Sequence, residues 1–175
     1  MKYTIAILVT VGLMLAVSHA FAKGEFVKPP YDAPVVSSVD QDGKAINFAD
    51  YYKEGILVVY FYPKADTPGC TKQGCSLRDA NDEFKTKGVK VLGVSVDKPK
   101  ANKKFQEKFH LPFPLVSDTE GKVLEAFKVG KIPVIGLATR QAFVIKNGKV
   151  VWHDAKASTE KQADDIKEVL KELGK

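Results

Sequence analysis

The stretch that most constrains the fold is ILVVYFY, Ile56 to Tyr62. It is an unbroken run of apolar and aromatic residues, many of them β-branched, with no polar alternation. Such a run suits a central strand covered on both faces. It ends at Pro63, which lacks the N–H that a strand ladder needs. VKVLGVSV (Val89 to Val96) has the same character and reads as a second buried strand. Between the two, Leu77, Ala80 and Phe84 recur at helical spacing, with Arg78, Asp79, Asp82 and Glu83 on the other side. That pattern predicts an amphipathic helix from about Cys70 to Gly88.

The flanking segments extend this strand–helix–strand unit. FVKPPYDAP (Phe26 to Pro34) is an extended, proline-rich lead-in, and PVVSSVDQDGKAINFADYY reads as a hairpin turning at Asp42-Gly43, with Phe48 and Tyr51 packing back. Downstream, DKPKANKKFQEKFHL predicts a helix with Pro99 in its first turn and Ala101, Phe105 and Phe109 on one stripe. PFPLVSDTEGK holds a short extended piece and a turn, and VLEAFKV is a short helix. AFVIKNGKVVWH (Ala142 to His153) reads as two strands joined at Asn147-Gly148. A last helix runs from about Thr159, where Thr159 and Gln162 have capping-box spacing and Ala163, Ile166, Leu170 and Leu173 form the buried stripe. This order predicts an α/β domain: a central mixed sheet flanked by helices, with an N-terminal β-hairpin extension. A thioredoxin-like fold fits it, though periodicity alone does not separate that fold from other small α/β sheets.

The first residues suggest export. Lys2 precedes the apolar core Ile5 to Val17, and Ala20 and Ala22 form an A-x-A site. Together they predict a signal peptide over residues 1–22, cut after Ala22, with an uncleaved anchor as the rival reading. The expected location is periplasmic or secreted, with no stable membrane association after cleavage. Removing 22 of 175 residues leaves 153, enough for one domain over 23–175 with a real core. The net charge of +6 comes from lysines scattered among acids, which indicates a solvated surface rather than a nucleic-acid face.

Both cysteines of the chain, Cys70 and Cys75, lie in YPKADTPGCTKQGC. In an exported chain a disulfide between them is the first expectation. As a staple it is poorly placed, because so small a ring removes little entropy from the unfolded chain. On one regular α-helix their Cα atoms would be roughly 8–9 Å apart, beyond the ~7 Å that a disulfide bridges. Bonding therefore requires the first helical turns to unwind, and Gly74 lowers the cost of unwinding. The pair thus suits a cycle of reduced-folded and oxidised-unwound states. Cys70 stands at a helix N-terminus, with Lys64, Lys72 and Arg78 nearby in sequence, a setting that favours thiolate over thiol. Pro68 and Gly69 shape the turn before it. Thr67 has two readings of equal weight, a hydrogen-bond partner at the sulfur or a helix-cap hydroxyl. A metal clip would need more ligands; outside the leader the histidines are His110 and His153, both distant in sequence.

YFYPKADTPGCTKQGCSLRD closely resembles the active-site segment of peroxiredoxins, in particular their PrxQ or bacterioferritin-comigratory-protein branch. Pro63, Thr67 and Cys70 match the motif P-x-x-x-T-x-x-C, and Cys75 matches the resolving cysteine of the atypical two-cysteine pattern. VLGVSVD, FPLVSDTEGKV and RQAFVIKNGKVVW extend the resemblance over nearly all of residues 30–175. It implies a thiol-dependent peroxidase without metal or other cofactor, in which Cys70 attacks peroxide and Cys75 resolves the sulfenic acid. Thr67 would bind the peroxide, Pro63 would shield the sulfenic acid, and Arg140 would stabilise the thiolate. A thioredoxin-like dithiol would reduce the disulfide, and resolution within one chain leans to a monomer. The chain departs from the family pattern at Gln73 and Gly74, where T-K-E-A-C is common, and at Ala142, where a hydroxyl residue is common. The alternatives are a thiol–disulfide oxidoreductase, usually marked by C-x-x-C, and a copper-binding thioredoxin-like module.

Overall fold

In the computed structural model, residues 24–52 and 55–175 are described; the expected leader, residues 1–22, lies outside them. The first element is β1 (Glu25–Asp32), followed by the hairpin β2 (Ser37–Val39) and β3 (Ala45–Asn47) and the short helix α1 (Phe48–Tyr52). Then come β4 (Ile56–Phe61), α2 (Pro68–Asp79), α3 (Asn81–Thr86), β5 (Val89–Ser95), α4 (Pro99–Phe109), β6 (Leu115–Ser117) and α5 (Lys122–Ala126). The chain closes with β7 (Gln141–Lys146), β8 (Lys149–Asp154) and α6 (Gln162–Glu172). Among the described residues no helix is long and apolar enough to cross a membrane.

Six strands form one mixed sheet in the order β1-β8-β7-β4-β5-β6, and β2 with β3 makes a separate two-stranded sheet. β4 lies inside the sheet, parallel to β5 and antiparallel to β7. Its unbroken apolar run is explained by burial on both faces. Ile56, Val58, Tyr60 and Tyr62 enter one core with residues of α2, α4 and α6, while Leu57, Val59 and Phe61 enter the other with α1, α5 and the hairpin. This is the thioredoxin-like mixed sheet flanked by helices, with its hairpin extension.

Four local readings need correction. The lead-in is a strand: β1 pairs antiparallel with β8, with an irregularity between Phe26 and Tyr31, and its prolines are tolerated because it is an edge. The helix after Cys70 starts earlier, at Pro68, and breaks at Ala80 (φ −94°, ψ −2°) into α2 and α3. On α4 Ala101 is exposed and Asn102 is fully buried. Asn102 can face the core because Oδ1 accepts bonds from the Tyr62 and Ser95 hydroxyls (2.8 and 3.2 Å) and Nδ2 donates to Ser117 Oγ at 2.9 Å. Finally, α6 begins at Gln162 with Lys161 as its cap and no side-chain capping bond, so Thr159 and Gln162 form no capping box.

Candidate active site

The register of β4 against β7 assembles the site. Phe61, the last residue of β4, pairs with Gln141, the first of β7. The turn leading to Cys70 and the residue before β7, Arg140, therefore emerge at the same end of the sheet. Pro63 is half-buried just beyond the strand. The loop after it is held from outside: the Ala65 N–H donates to Asp97 Oδ2 at 2.8 Å, and Lys108 Nζ bonds both oxygens of Asp66 at 2.8 and 2.9 Å.

Thr67 is the N-cap residue of α2, with extended backbone, and its carbonyl accepts the Thr71 N–H at 2.8 Å. Its hydroxyl makes no capping bond and instead donates to the Lys64 carbonyl at 2.9 Å. Cys70 follows Pro68 and Gly69 in the first turn, where backbone N–H groups lack helical acceptors and the helix dipole is positive. Its side chain is 1% exposed, and Arg140 Nη2 donates to its Sγ at 3.4 Å. Gly69 makes that approach possible, since a Cβ there would stand 3.2 Å from Nη2. Arg140 is held in turn by its Nη1, which donates to Gln73 Oε1 at 2.5 Å, and by its carbonyl, which accepts the Ala157 N–H at 3.2 Å. Gln73 Nε2 donates to Gln162 Oε1 at 2.9 Å, and both glutamines are fully buried.

Two of the basic side chains near the cysteines in sequence are engaged elsewhere. Lys72 pairs with Glu160, and Arg78 pairs with Asp79 at 2.8 Å while donating to the Phe109 carbonyl at 2.9 Å. Arg140 is the guanidinium that reaches Cys70. Beneath the thiol, Tyr60 and Tyr62 stack 5.5 Å apart. Burial drives both phenols above their ordinary pKa, so they stay neutral. Cys75 lies further along α2, partly exposed, and both cysteines are free. His153 is half-buried, stacked 4.2 Å from Phe143 and within 2.8 Å of Gln141 Oε1. Among the described residues no three His, Cys, Asp or Glu side chains gather closely enough to hold a metal.

The structure thus brings Cys70 and Arg140 into contact and puts Cys75 on the same helix, while the Thr67 hydroxyl is engaged by the Lys64 carbonyl and Pro63 stands half-buried just beyond β4. Sequence reasoning missed Gln162, whose link to the site runs through Gln73 from the far end of the chain. A glutamine at the start of an amphipathic helix looks like a cap, and no local sequence signal marks this one as buried.

Residues 29–153 match the AhpC/TSA family. Peroxiredoxin Bcp of Escherichia coli (strain K12) is 53% identical over 97 residues, which is 55% of this chain and 62% of that protein. The chloroplastic peroxiredoxin Q of Oryza sativa subsp. japonica is 38% identical over 143 residues, 81% of this chain and 65% of that protein. The chain thus spans less than two thirds of the length of these curated relatives. Among solved structures, a bacterioferritin comigratory protein of Xanthomonas campestris with alkyl peroxide reduction activity superposes with a TM-score of 0.74 at 30% identity. That match covers 88% of this chain and 99% of the other. The chain belongs to the AhpC/TSA family, in its Bcp and PrxQ peroxiredoxin branch.

Proposed function

We propose that this protein is a thiol-dependent peroxidase that reduces hydrogen peroxide and organic hydroperoxides. One observation carries the reading: a buried thiol at a helix N-terminus takes an N–H from a held guanidinium, and the same helix carries a second free thiol. The Cys70 thiolate attacks the terminal peroxide oxygen; the S–O bond forms, the O–O bond breaks, and alkoxide leaves, taking a proton to become alcohol or water. Arg140 stabilises the negative charge on sulfur and the charge developing on oxygen. Thr67 binds the peroxide and Pro63 shields the sulfenic acid, roles supported by their match to the peroxiredoxin motif P-x-x-x-T-x-x-C. Cys75 then attacks the sulfenic sulfur: the S–S bond forms, the S–O bond breaks and water leaves. A thioredoxin-like dithiol returns two electrons and two protons by exchange.

The protein acts as a monomer in the periplasm or outside the cell, after its leader is removed at Ala22. Support for export is the charged, apolar and A-x-A pattern of residues 1–22. The test adds hydrogen peroxide to reduced protein and follows peroxide loss and protein mass. Wild type consumes peroxide and forms a Cys70–Cys75 disulfide. Cys70→Ser is inactive, and Cys75→Ser accumulates a sulfenic acid on Cys70 without turning over. Full activity in Cys70→Ser would refute the reading.

A further inference from the structure

The segment between the cysteines is fastened to the start of α6. Lys72, Gln73 and Ser76 lie on neighbouring positions of one α2 face. Lys72 pairs with Glu160, Gln73 donates to Gln162 Oε1, and Ser76 Oγ accepts the Ala163 N–H at 3.0 Å. These contacts differ in kind. The Lys72–Glu160 pair is exposed on both sides and contributes little. The Ser76 bond lies beyond Cys75, outside the part of the helix that must open. The Gln73–Gln162 bond lies between the cysteines and is fully buried, so it has to break whenever Cys75 swings toward Cys70.

Gln162 is an unusual residue to bury there. Its Nε2 has no hydrogen-bond partner among the described residues, and a buried unpaired donor is unfavourable. An apolar side chain of similar volume would avoid that penalty but would leave Gln73 Nε2 without its acceptor. Gln73 in turn holds Arg140. The bond therefore ties the intact first turns of α2 to both α6 and the guanidinium. Unwinding releases all three together.

We propose that Gln162 is a positioning residue that latches α2 in its helical form and so sets the rate at which Cys75 reaches the Cys70 sulfenic acid. This rests on the peroxidase reading, and its chemical step is the one written above: Cys75 thiol plus Cys70 sulfenic acid gives disulfide plus water. Gln162 touches neither sulfur; it acts through Gln73 on the opening of the helix.

The experiment treats reduced Gln162→Leu with hydrogen peroxide in a rapid-quench apparatus and resolves two steps by alkylation and mass. Sulfenic acid formation on Cys70 stays within about twofold of wild type, because Gln73 Oε1 still accepts from Arg140 and the Ala157 N–H still holds its carbonyl, while disulfide formation speeds up about fivefold, the factor expected from losing one ordinary hydrogen bond. Gln162→Met, which keeps the side-chain length without the amide, gives the same result if the leucine variant folds poorly. In the reduced protein the amides of residues 70–75 exchange with deuterium about fivefold faster, while those of β4 keep their wild-type rates. An unchanged disulfide step overturns the proposal. So does equal acceleration in Ser76→Ala, which would assign the effect to docking of α2 as a whole. Faster exchange in β4 as well would mean a general loss of stability and would also overturn it. Absence of sulfenic acid in the wild type is a different result, one that sinks the peroxidase reading itself.

Discussion

Gly69→Ala should make the protein more stable and slower. Gly69 sits in the first turn of α2 with no left-handed backbone demand, so alanine is the better helix former there by up to about 1 kcal/mol. The added methyl, however, would stand 3.2 Å from Arg140 Nη2 and 3.6 Å from Thr159 Cγ2. Thr159 limits its escape on one side, so the guanidinium must retreat by a few tenths of an ångström. Its N–H···S contact with Cys70 is already 3.4 Å long, and lengthening it weakens the stabilisation of charge on sulfur. Complete removal of such a donor costs about 10²–10³ in rate. A partial retreat should cost about tenfold, or ~1.4 kcal/mol of barrier. Single-turnover sulfenic acid formation with excess peroxide measures the rate, and urea unfolding of the reduced protein measures the stability. A variant that folds and reacts within about twofold of wild type would refute the claim that Arg140 must lie this close.

Gly74→Ala should act on the other half of the cycle. Its Cβ would make ordinary contacts, 3.4 Å from both Leu111 methyls and 3.7 Å from the Phe105 ring, so the helix gains up to about 1 kcal/mol and disulfide formation slows by up to about fivefold, while sulfenic acid formation is unchanged. Tyr60→Phe should raise stability by about 1 kcal/mol in urea unfolding, because the Tyr60 hydroxyl is buried without a partner among the described residues; a loss of stability would show that the hydroxyl is bonded after all. Burial holds His153 below its ordinary pKa of 6.5, against the opposing pull of Asp154. The unfolded chain therefore takes up that proton first, and stability should fall as pH drops below 6.5, levelling off below the folded-state value. His153→Gln should flatten the slope that sets in as pH falls below 6.5, whereas the carboxylates Asp42, Glu83, Glu120 and Glu160, with pKa values lowered by their lysine partners, place their losses below the ordinary carboxylate range.

Central strands, the hairpins and Cys70's place in the first turn of a helix were legible because each is written in local pattern. β4 announced itself by lacking alternation, and Asn147-Gly148 by turn chemistry. What escaped was set by partners distant in sequence. β1 read only as an extended lead-in because its prolines argue against a ladder, and its partner β8 lies at the other end of the chain. Asn102 was passed over for Ala101 because polarity argues for solvent, whereas Tyr62, Ser95 and Ser117 supply the bonds that let an amide enter the core. Arg140 came from resemblance, since one arginine before a strand has no local signature. The break at Ala80 leaves the apolar spacing of Leu77 and Phe84 intact, so periodicity ran straight through it.

The pairing of β1 with β8 also imposes an order of events on the chain. Asp32 and Lys149, which bond across this edge, are 117 residues apart. The N-terminal strand thus has no ladder to join until almost the whole domain has been synthesised. On the proposed route, only Lys23 and Gly24 separate the peptide bond after Ala22 from the first residue of β1. The strand that closes the sheet edge is thus the first one made and one of the last to be paired.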